Sequence, residues 1–266
     1  MNYLTRRMTW QQLTHPTALS NGEIWCFLLN SQSAVPATDE HARIVGECYI
    51  SQEHLREISE ADGKVPSELL ADEIIPDAPH IRTGDFGEML TRSILEGWRD
   101  DPRFPVYRWR NRSHKNDTVR GCDLVGYVLG SPPSANDILI LCEVKTRSST
   151  VDHTVAVQAL RGVLKDHATR LANTLFFCQQ ALLRDGRRTE ALELGRFYNP
   201  HKHGEYKRRL VACVVHESSS WLDAFFDELP PSVTLGQRLE VQVMVVRVED
   251  LSTWIDDVLH AVPAVY

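Results

Sequence analysis

Three charged residues interrupt two apolar stretches near the middle of the chain. Asp123 lies in the first stretch, Cys122–Leu129, and Glu143 and Lys145 lie in the second, Ile138–Thr146. Charged groups in apolar strands are costly unless they are paired or hold a metal ion. Two carboxylates on adjacent strands can hold Mg²⁺, and a nearby ammonium can orient water and offset phosphate charge. This combination indicates phosphodiester hydrolysis.

Two strands joined by a turn would position these residues. The segment between the stretches, GSPPSAND, is rich in Gly, Pro, Ser and Asn, which do not readily continue a strand. Because side chains alternate across a strand, Glu143 and Lys145 share one face. Leu139 and Leu141 lie on that face, and Asp123 shares a face of the first strand with Val125 and Tyr127. Ile138, Ile140, Cys142 and Val144 form the opposite face of the second strand.

An Asp, a turn and a Glu-x-Lys motif resemble the PD-(D/E)xK nuclease superfamily, although no proline precedes Asp123. The resemblance places Asp123, Glu143 and Lys145 on the motif positions. It implies a phosphodiesterase whose Mg²⁺, or Mn²⁺ in its place, is held by both carboxylates and the backbone carbonyl of Val144. The alternative for the same residues is a surface hairpin with a Glu–Lys pair exposed to water.

Composition describes a globular chain without a general nucleic-acid coat. The 266 residues are 42% hydrophobic and 24% charged, which suits one large domain or a core with an added module. The net charge of −7 requires any nucleic-acid surface to be local. No apolar run is long enough to span a bilayer and the N-terminus lacks a signal-peptide core, so we expect a cytoplasmic protein without membrane contact. The cysteines show no CxxC spacing for zinc.

The first 78 residues are predicted to form a small α+β region, with no motif that carries chemistry. Prolines near residue 78 suggest a boundary, followed by a nuclease domain over residues 79–266. The predicted elements of the first region are strands at Glu23–Leu29 and Ala42–Ile50 and helices at Ser51–Ser59, with Ser51 as N-cap, and Pro66–Asp72. We expect this region to pack on the core or to bind a partner.

From residue 84 onward, the pattern predicts the αβββαβ order of the restriction-endonuclease-like core, an α/β fold with a mixed central sheet. A helix-strand-helix extension follows at the C-terminus. The core elements are a helix at Gly84–Trp98, a strand at Phe104–Trp109, the two motif strands, a long helix at about Asp152–Leu183 and a strand at Leu210–His216. The extension consists of Trp221–Leu229, Leu239–Val248 and Asp250–Leu259.

One glutamate on the first core helix is a further candidate. Nucleases of this superfamily commonly carry an acidic residue on that helix, pointed at the metal, and Glu88 matches its position. The resemblance therefore implies a third carboxylate in the site, whereas the alternative is a solvated glutamate. Asp85 is predicted to cap the start of the helix.

Basic residues cluster on both sides of the motif. The functional interpretation is contact with backbone phosphates, and the alternative is a solvated loop. Gln158 is added because some families of the superfamily carry a glutamine on the helix after the motif. The candidates for nucleic-acid contact are Arg108, Arg110, Arg112, Lys115, Arg147, Gln158, Lys207 and Arg208.

The segments GDFGEML, GCDLVGY and LILCEVKTRSS together resemble the nuclease subunit of the Hachiman anti-phage defence system, over about residues 80–216. The resemblance assigns Glu88, Asp123, Glu143 and Lys145 to the active site. It implies a metal-dependent DNA nuclease that a superfamily-2 DNA helicase holds in check and activates. Two alternatives stay open: a stand-alone restriction or repair nuclease, and a catalytically dead nuclease fold that acts as a binding module.

Overall fold

A six-stranded sheet organises the chain in the computed structural model. The structure describes residues 10–14, 22–29, 38–98, 100–119, 121–132, 134–149, 151–198, 205–226, 229 and 239–266. The strands are β1 (Trp10–Thr14), β2 (Gly22–Leu29), β3 (Leu124–Val128), β4 (Ile138–Arg147), β5 (Lys207–Glu217) and β6 (Leu239–Val248). Their spatial order is β1-β2-β6-β5-β4-β3.

The sheet is mixed, as the sequence predicted. Strands β2, β6, β5 and β4 run parallel, and β1 and β3 pair antiparallel at the two edges. Parallel neighbours need a crossover connection, and a run of helices over residues 155–198 connects β4 to β5. An α/β fold with a mixed sheet is therefore confirmed.

Helices cover both faces of the sheet. They are α1 (Asp39–Tyr49), α2 (Gln52–Asp62), α3 (Pro66–Leu69), α4 (Pro79–Glu96), α5 (Val155–Lys165), α6 (Leu171–Arg184), α7 (Arg188–Tyr198) and α8 (Leu251–Ala261). One hydrophobic cluster joins α1, α4 and α8 to one face, and a second joins α5, α6 and α7 to the other. In the part of the chain that the structure describes, no helix has the length and apolar character needed to cross a membrane.

The first region differs from the prediction in two elements: strand β1 (Trp10–Thr14) was not predicted, and one predicted strand is absent. Ala42–Ile50 lies almost entirely in helix α1, so the predicted strand there is wrong. Ala42, Val45 and Tyr49 are buried at helical spacing, and the side chain of Thr38 caps the helix by accepting from the amide of His41. The predicted helices after it are confirmed as α2 and α3, and the Ser51 side chain caps α2.

The described part of this first region shares its sheet and its core with the rest of the chain. Strand β2 pairs along its length with β6. Ala42 and Val45 of α1 belong to the same hydrophobic cluster as Phe86 of α4 and Trp254 of α8. A boundary near residue 78 therefore separates stretches of sequence that pack together in space.

The predicted first core strand, Phe104–Trp109, is wrong. Arg103 makes only an isolated bridge with Tyr127, and a 3-10 turn follows at Arg108–Asn111. Pro105 has no backbone N–H to donate to a strand ladder. Among the described residues from 79 onward, the order therefore lacks one strand of the predicted αβββαβ core.

The C-terminal segment is part of the sheet rather than an extension. Strand β6 lies between β2 and β5, and its Val243, Met244 and Val245 are completely buried. The predicted helix at Trp221–Leu229 is replaced, in its described residues, by a 3-10 turn at Asp223–Phe226. The predicted closing helix is confirmed as α8.

Candidate active site

The β3–β4 hairpin brings the motif residues together. Leu124 pairs with Cys142 in an antiparallel register, so Asp123, one residue earlier, adjoins Glu143 on β4. The amide of Val144 donates a 2.8 Å hydrogen bond to Oδ2 of Asp123. The two predicted faces of β4 are also present. Leu139 and Leu141 belong to one hydrophobic cluster, and the residues between and beside them, Ile138, Ile140, Cys142 and Val144, belong to the other.

Glu143 and Lys145 form an ion pair on one face of β4. Nζ of Lys145 donates to Oε1 of Glu143 at 2.6 Å, and the side chains of Lys145 and Glu143 are 31% and 12% exposed, respectively. Burial, followed by the negative charge of Asp123, raises the pKa of Glu143 to about 7. Burial is the largest influence on Lys145 and lowers its pKa, but the hydrogen bond that it donates to Glu143, with the negative charges of Glu143 and Asp123, together raise the lysine pKa above its usual value.

Helix α5 lies directly over Glu143. A Cβ added at Gly162 would come within 2.8 Å of Cγ and Cδ of Glu143, so only glycine permits this approach. The helix then opens into a π turn, Asp166–Arg170, which interrupts the predicted long helix. π turns of this kind are frequent at functional sites.

The π turn contributes an acid that the sequence did not single out. Asp166 is only 3% exposed, and it accepts a 3.2 Å hydrogen bond from Arg170. Its charge adds to those that raise the pKa of Glu143. Asp166 lies one helical turn after Gly162, which packs against Glu143. The sequence could have pointed to Asp166 only if this contact of Gly162 had been known, and no local pattern reveals it.

Glu88 approaches the cluster from α4. Its Oε2 accepts a 3.0 Å hydrogen bond from Nε1 of Trp109. Burial raises the pKa of Glu88 well above its usual value; Arg108 opposes the rise and Asp123 adds to it. The charge of Asp123 therefore reaches both Glu88 and Glu143, which makes Asp123 the centre of the acidic group.

Asp85 does not cap this helix, so that prediction is wrong. Helix α4 begins earlier, at Pro79, because proline suits the first helical position. Asp85 is 3% exposed and lies inside the helix. It binds both terminal nitrogens of Arg112 and accepts a 2.9 Å hydrogen bond from the Tyr49 hydroxyl.

Arg108 belongs to the site rather than to a surface cluster. Its side chain is 10% exposed, and Nη1 donates to Oδ1 of Asp123 at 2.7 Å. Nε lies 3.9 Å from Oε2 of Glu88. The guanidinium also donates to the carbonyls of Cys122 and Val119. Arg108 and Trp109 are consecutive, yet both side chains approach Glu88. The 3-10 turn allows this, because consecutive side chains of a strand would point to opposite faces.

Three other predicted phosphate-contacting residues, Arg110, Arg112 and Lys115, are paired within the chain. Arg110 contacts Glu47 through its carbonyl and its carboxylate, and Nζ of Lys115 lies 2.7 Å from Asp77. Together with Arg112, these side chains are at most 18% exposed. Their predicted phosphate contacts stay predictions, and the structure gives these cations partners in the protein itself.

Arg147 and Gln158 meet at the end of β4 beyond Lys145. Nη2 of Arg147 lies 3.3 Å from Oε1 of Gln158 and 3.1 Å from Asp152. Lys207 and Arg208, in contrast, begin β5 and pair with Ile138 and Leu139, at the opposite end of β4. At about 3.3 Å per residue, five residues of strand separate that end from Glu143 by roughly 16 Å. Arg147 and Gln158 therefore lie near the motif, whereas Lys207 and Arg208 lie at the far end of β4.

The donor chemistry of the site suits a hard divalent cation. Glu88, Asp123 and Glu143 offer only oxygen ligands, and burial with mutual repulsion raises the pKa of Glu143 and Glu88, a cost that a cation would relieve. Cations of the protein already bind these carboxylates, Arg108 at Asp123 and Lys145 at Glu143. Within the described ranges, no three His, Cys, Asp or Glu side chains are arranged to hold a metal ion together.

Comparison with known proteins assigns the chain to a family. No curated protein matches it. The sequence model of the HamA family matches residues 7–261, nearly the whole chain. The family is a component of the Hachiman anti-phage defence system, which implies a partner within that system. The chain therefore belongs to the HamA family and has a role in Hachiman anti-phage defence.

Proposed function

We propose that this protein is the metal-dependent DNA nuclease of its Hachiman system, with its active site at Glu88, Asp123, Glu143 and Lys145. The observation that carries the proposal is the position of Asp123. Its carboxylate is bonded to the amide of Val144, between Glu143 and Lys145 on β4. Two acids and a lysine thus meet at one place on the sheet edge, as hydrolysis of a phosphodiester needs.

The carboxylates of Asp123 and Glu143 would hold Mg²⁺ or Mn²⁺, with the carbonyl of Val144 as a further ligand and Glu88 as an outer or direct carboxylate. When bound, the ion would polarise the phosphate and lower the pKa of an attacking water. Lys145 presents an ammonium beside Glu143, where it would orient that water and offset charge on the phosphate. Trp109 holds Glu88 by a hydrogen bond and so orients its carboxylate.

A superfamily-2 DNA helicase is our proposed partner, as the resemblance implies. The net charge of −7 opposes approach to DNA. Arg108, Arg110, Arg112 and Lys115 are bound to acids of the same chain, which leaves little free positive charge beside the motif. Both features support a nuclease that receives its DNA from a partner and is controlled by it.

The test is plasmid degradation by the nuclease with the co-purified helicase and ATP. Lys145→Met and Glu143→Gln should each reduce cleavage on the order of a thousandfold, because each removes several kcal/mol of transition-state stabilisation. The matched control is Lys64→Met, which breaks an exposed Lys–Glu pair elsewhere and should cleave normally. Wild-type cleavage by Lys145→Met, or cleavage in excess EDTA, would overturn the proposal.

A further inference from the structure

Arg108 is a buried cation bonded directly to the central acid of the site. Its guanidinium is 2.7 Å from Oδ1 of Asp123 and 3.9 Å from Oε2 of Glu88. Both carboxylates belong to the proposed metal site. The positive charge that neutralises them here is part of the chain.

Both oxygens of Asp123 are engaged inside the protein. Oδ1 accepts from Arg108 and Oδ2 accepts from the amide of Val144. A divalent cation bound to Oδ1 would lie within a few ångströms of the guanidinium, and like charges at that distance repel strongly in a buried site. The metal and Arg108 therefore cannot both contact Asp123 without cost.

We propose that Arg108 is a positioning residue that competes with the divalent cation for Asp123 and Glu88 and so keeps metal affinity low in the isolated protein. The proposal rests on the proposed nuclease function. Removing the guanidinium leaves the two carboxylates without their neutralising charge. A divalent cation would then supply that charge and bind more tightly. Metal binding and displacement of Arg108 are thus a single linked equilibrium.

The turn that carries Arg108 is tied to the first helix of the chain. The ring of Tyr107 lies against the guanidinium carbons of Arg92 and Arg110, at 3.8 and 4.1 Å from its centroid. Arg110 in turn binds Glu47 near the end of α1. The backbone turn next to Arg108 is therefore packed against α1, although Arg110 itself contacts neither Asp123 nor Glu88.

The test measures Mn²⁺ binding by calorimetry to the full-length protein, with DNA and helicase absent. Arg108→Gln should bind Mn²⁺ at least about tenfold more tightly than wild type, and Mn²⁺ should raise its melting temperature by more. Arg110→Gln is the matched control, since it alters the same turn but contacts neither carboxylate. Its Mn²⁺ affinity should equal that of wild type.

A second variant, Arg108→Lys, tests the same proposal if Arg108→Gln does not fold. Arg108→Lys keeps the charge but cannot reach Asp123 and both carbonyls at once, so its affinity should rise by a smaller factor, about threefold. Unchanged or weaker Mn²⁺ binding in whichever variant folds would overturn the competition while leaving the nuclease proposal intact. Binding to none of the proteins, including wild type, would overturn both proposals.

Discussion

The amide of Val144 donates a 2.8 Å hydrogen bond to Oδ2 of Asp123, across the hairpin that joins them. Asp123 precedes β3, so this bond, rather than the strand ladder, aligns its carboxylate with β4. Val144 was expected to serve the site through its carbonyl, and its amide has this separate role. The bond fixes one acid of the motif relative to Glu143 and Lys145, which flank Val144 on the strand.

Gly162→Ala should damage the site although alanine favours helices. An added Cβ would lie 2.8 Å from Cγ and Cδ of Glu143, so overpacking should cost about 1–3 kcal/mol of stability. The displaced carboxylate should lower cleavage by on the order of a hundredfold. Chemical denaturation and plasmid cleavage measure the two effects.

The control for that substitution is Gly84→Ala in α4. Nothing lies within 4 Å of the place that a Cβ would take at this residue, so helix propensity should stabilise the protein by about 0.5–1 kcal/mol. Stabilisation by both substitutions would show that Gly162 has room and would remove the proposed contact.

His216 should make stability depend on pH in the acidic range. The side chain is completely buried, and burial lowers its pKa below 6.5, with Arg147 acting in the same direction against Glu217 and Asp152. As pH falls below about 6.5, His216 binds a proton more readily in the unfolded chain than in the folded chain. The free energy of unfolding therefore decreases by up to about 1.4 kcal/mol per pH unit.

The measurement compares the free energy of unfolding at pH 5 and pH 7 for wild type and His216→Gln. The variant should lose less stability than wild type over this interval. His54→Gln, at a side chain that is 63% exposed, is the control and should follow wild type. Equal losses in wild type and His216→Gln would contradict the assignment.

Arg110 should contribute to stability and not to DNA affinity. It binds Glu47 and stacks on Tyr107, so Arg110→Gln should lower the melting temperature by a few degrees. The salt dependence of DNA binding should stay unchanged, because a lost phosphate contact reduces that slope by about one unit. A reduced slope in fluorescence anisotropy titrations would restore the predicted phosphate contact.

Deletion of residues 1–78 should unfold the protein rather than release a nuclease core. It would remove β2, which pairs with β6, and the buried residues of α1, including Ala42 and Val45. Circular dichroism and thermal melting of the shortened chain measure this. A cooperative transition near that of the full chain would show that the first region is dispensable for folding.

The sequence alone determined the local features of the site. Alternation with period two placed Glu143 and Lys145 on one face of β4, and the Pro- and Gly-rich segment marked the turn. Ser51 was recognised as a helix cap from its own neighbours. Such features depend on residues a few positions apart, and their physics is present in the chain before it folds.

Only the tertiary structure decided which groups surround the acids. Arg108 lies 15 residues from Asp123, and Arg112 lies 27 residues from Asp85, so no local pattern pairs them. The same holds for Gly162 over Glu143 and for β6 inside the sheet. A buried charge must be neutralised by whichever partner the packing brings close, and that choice is made across the whole fold.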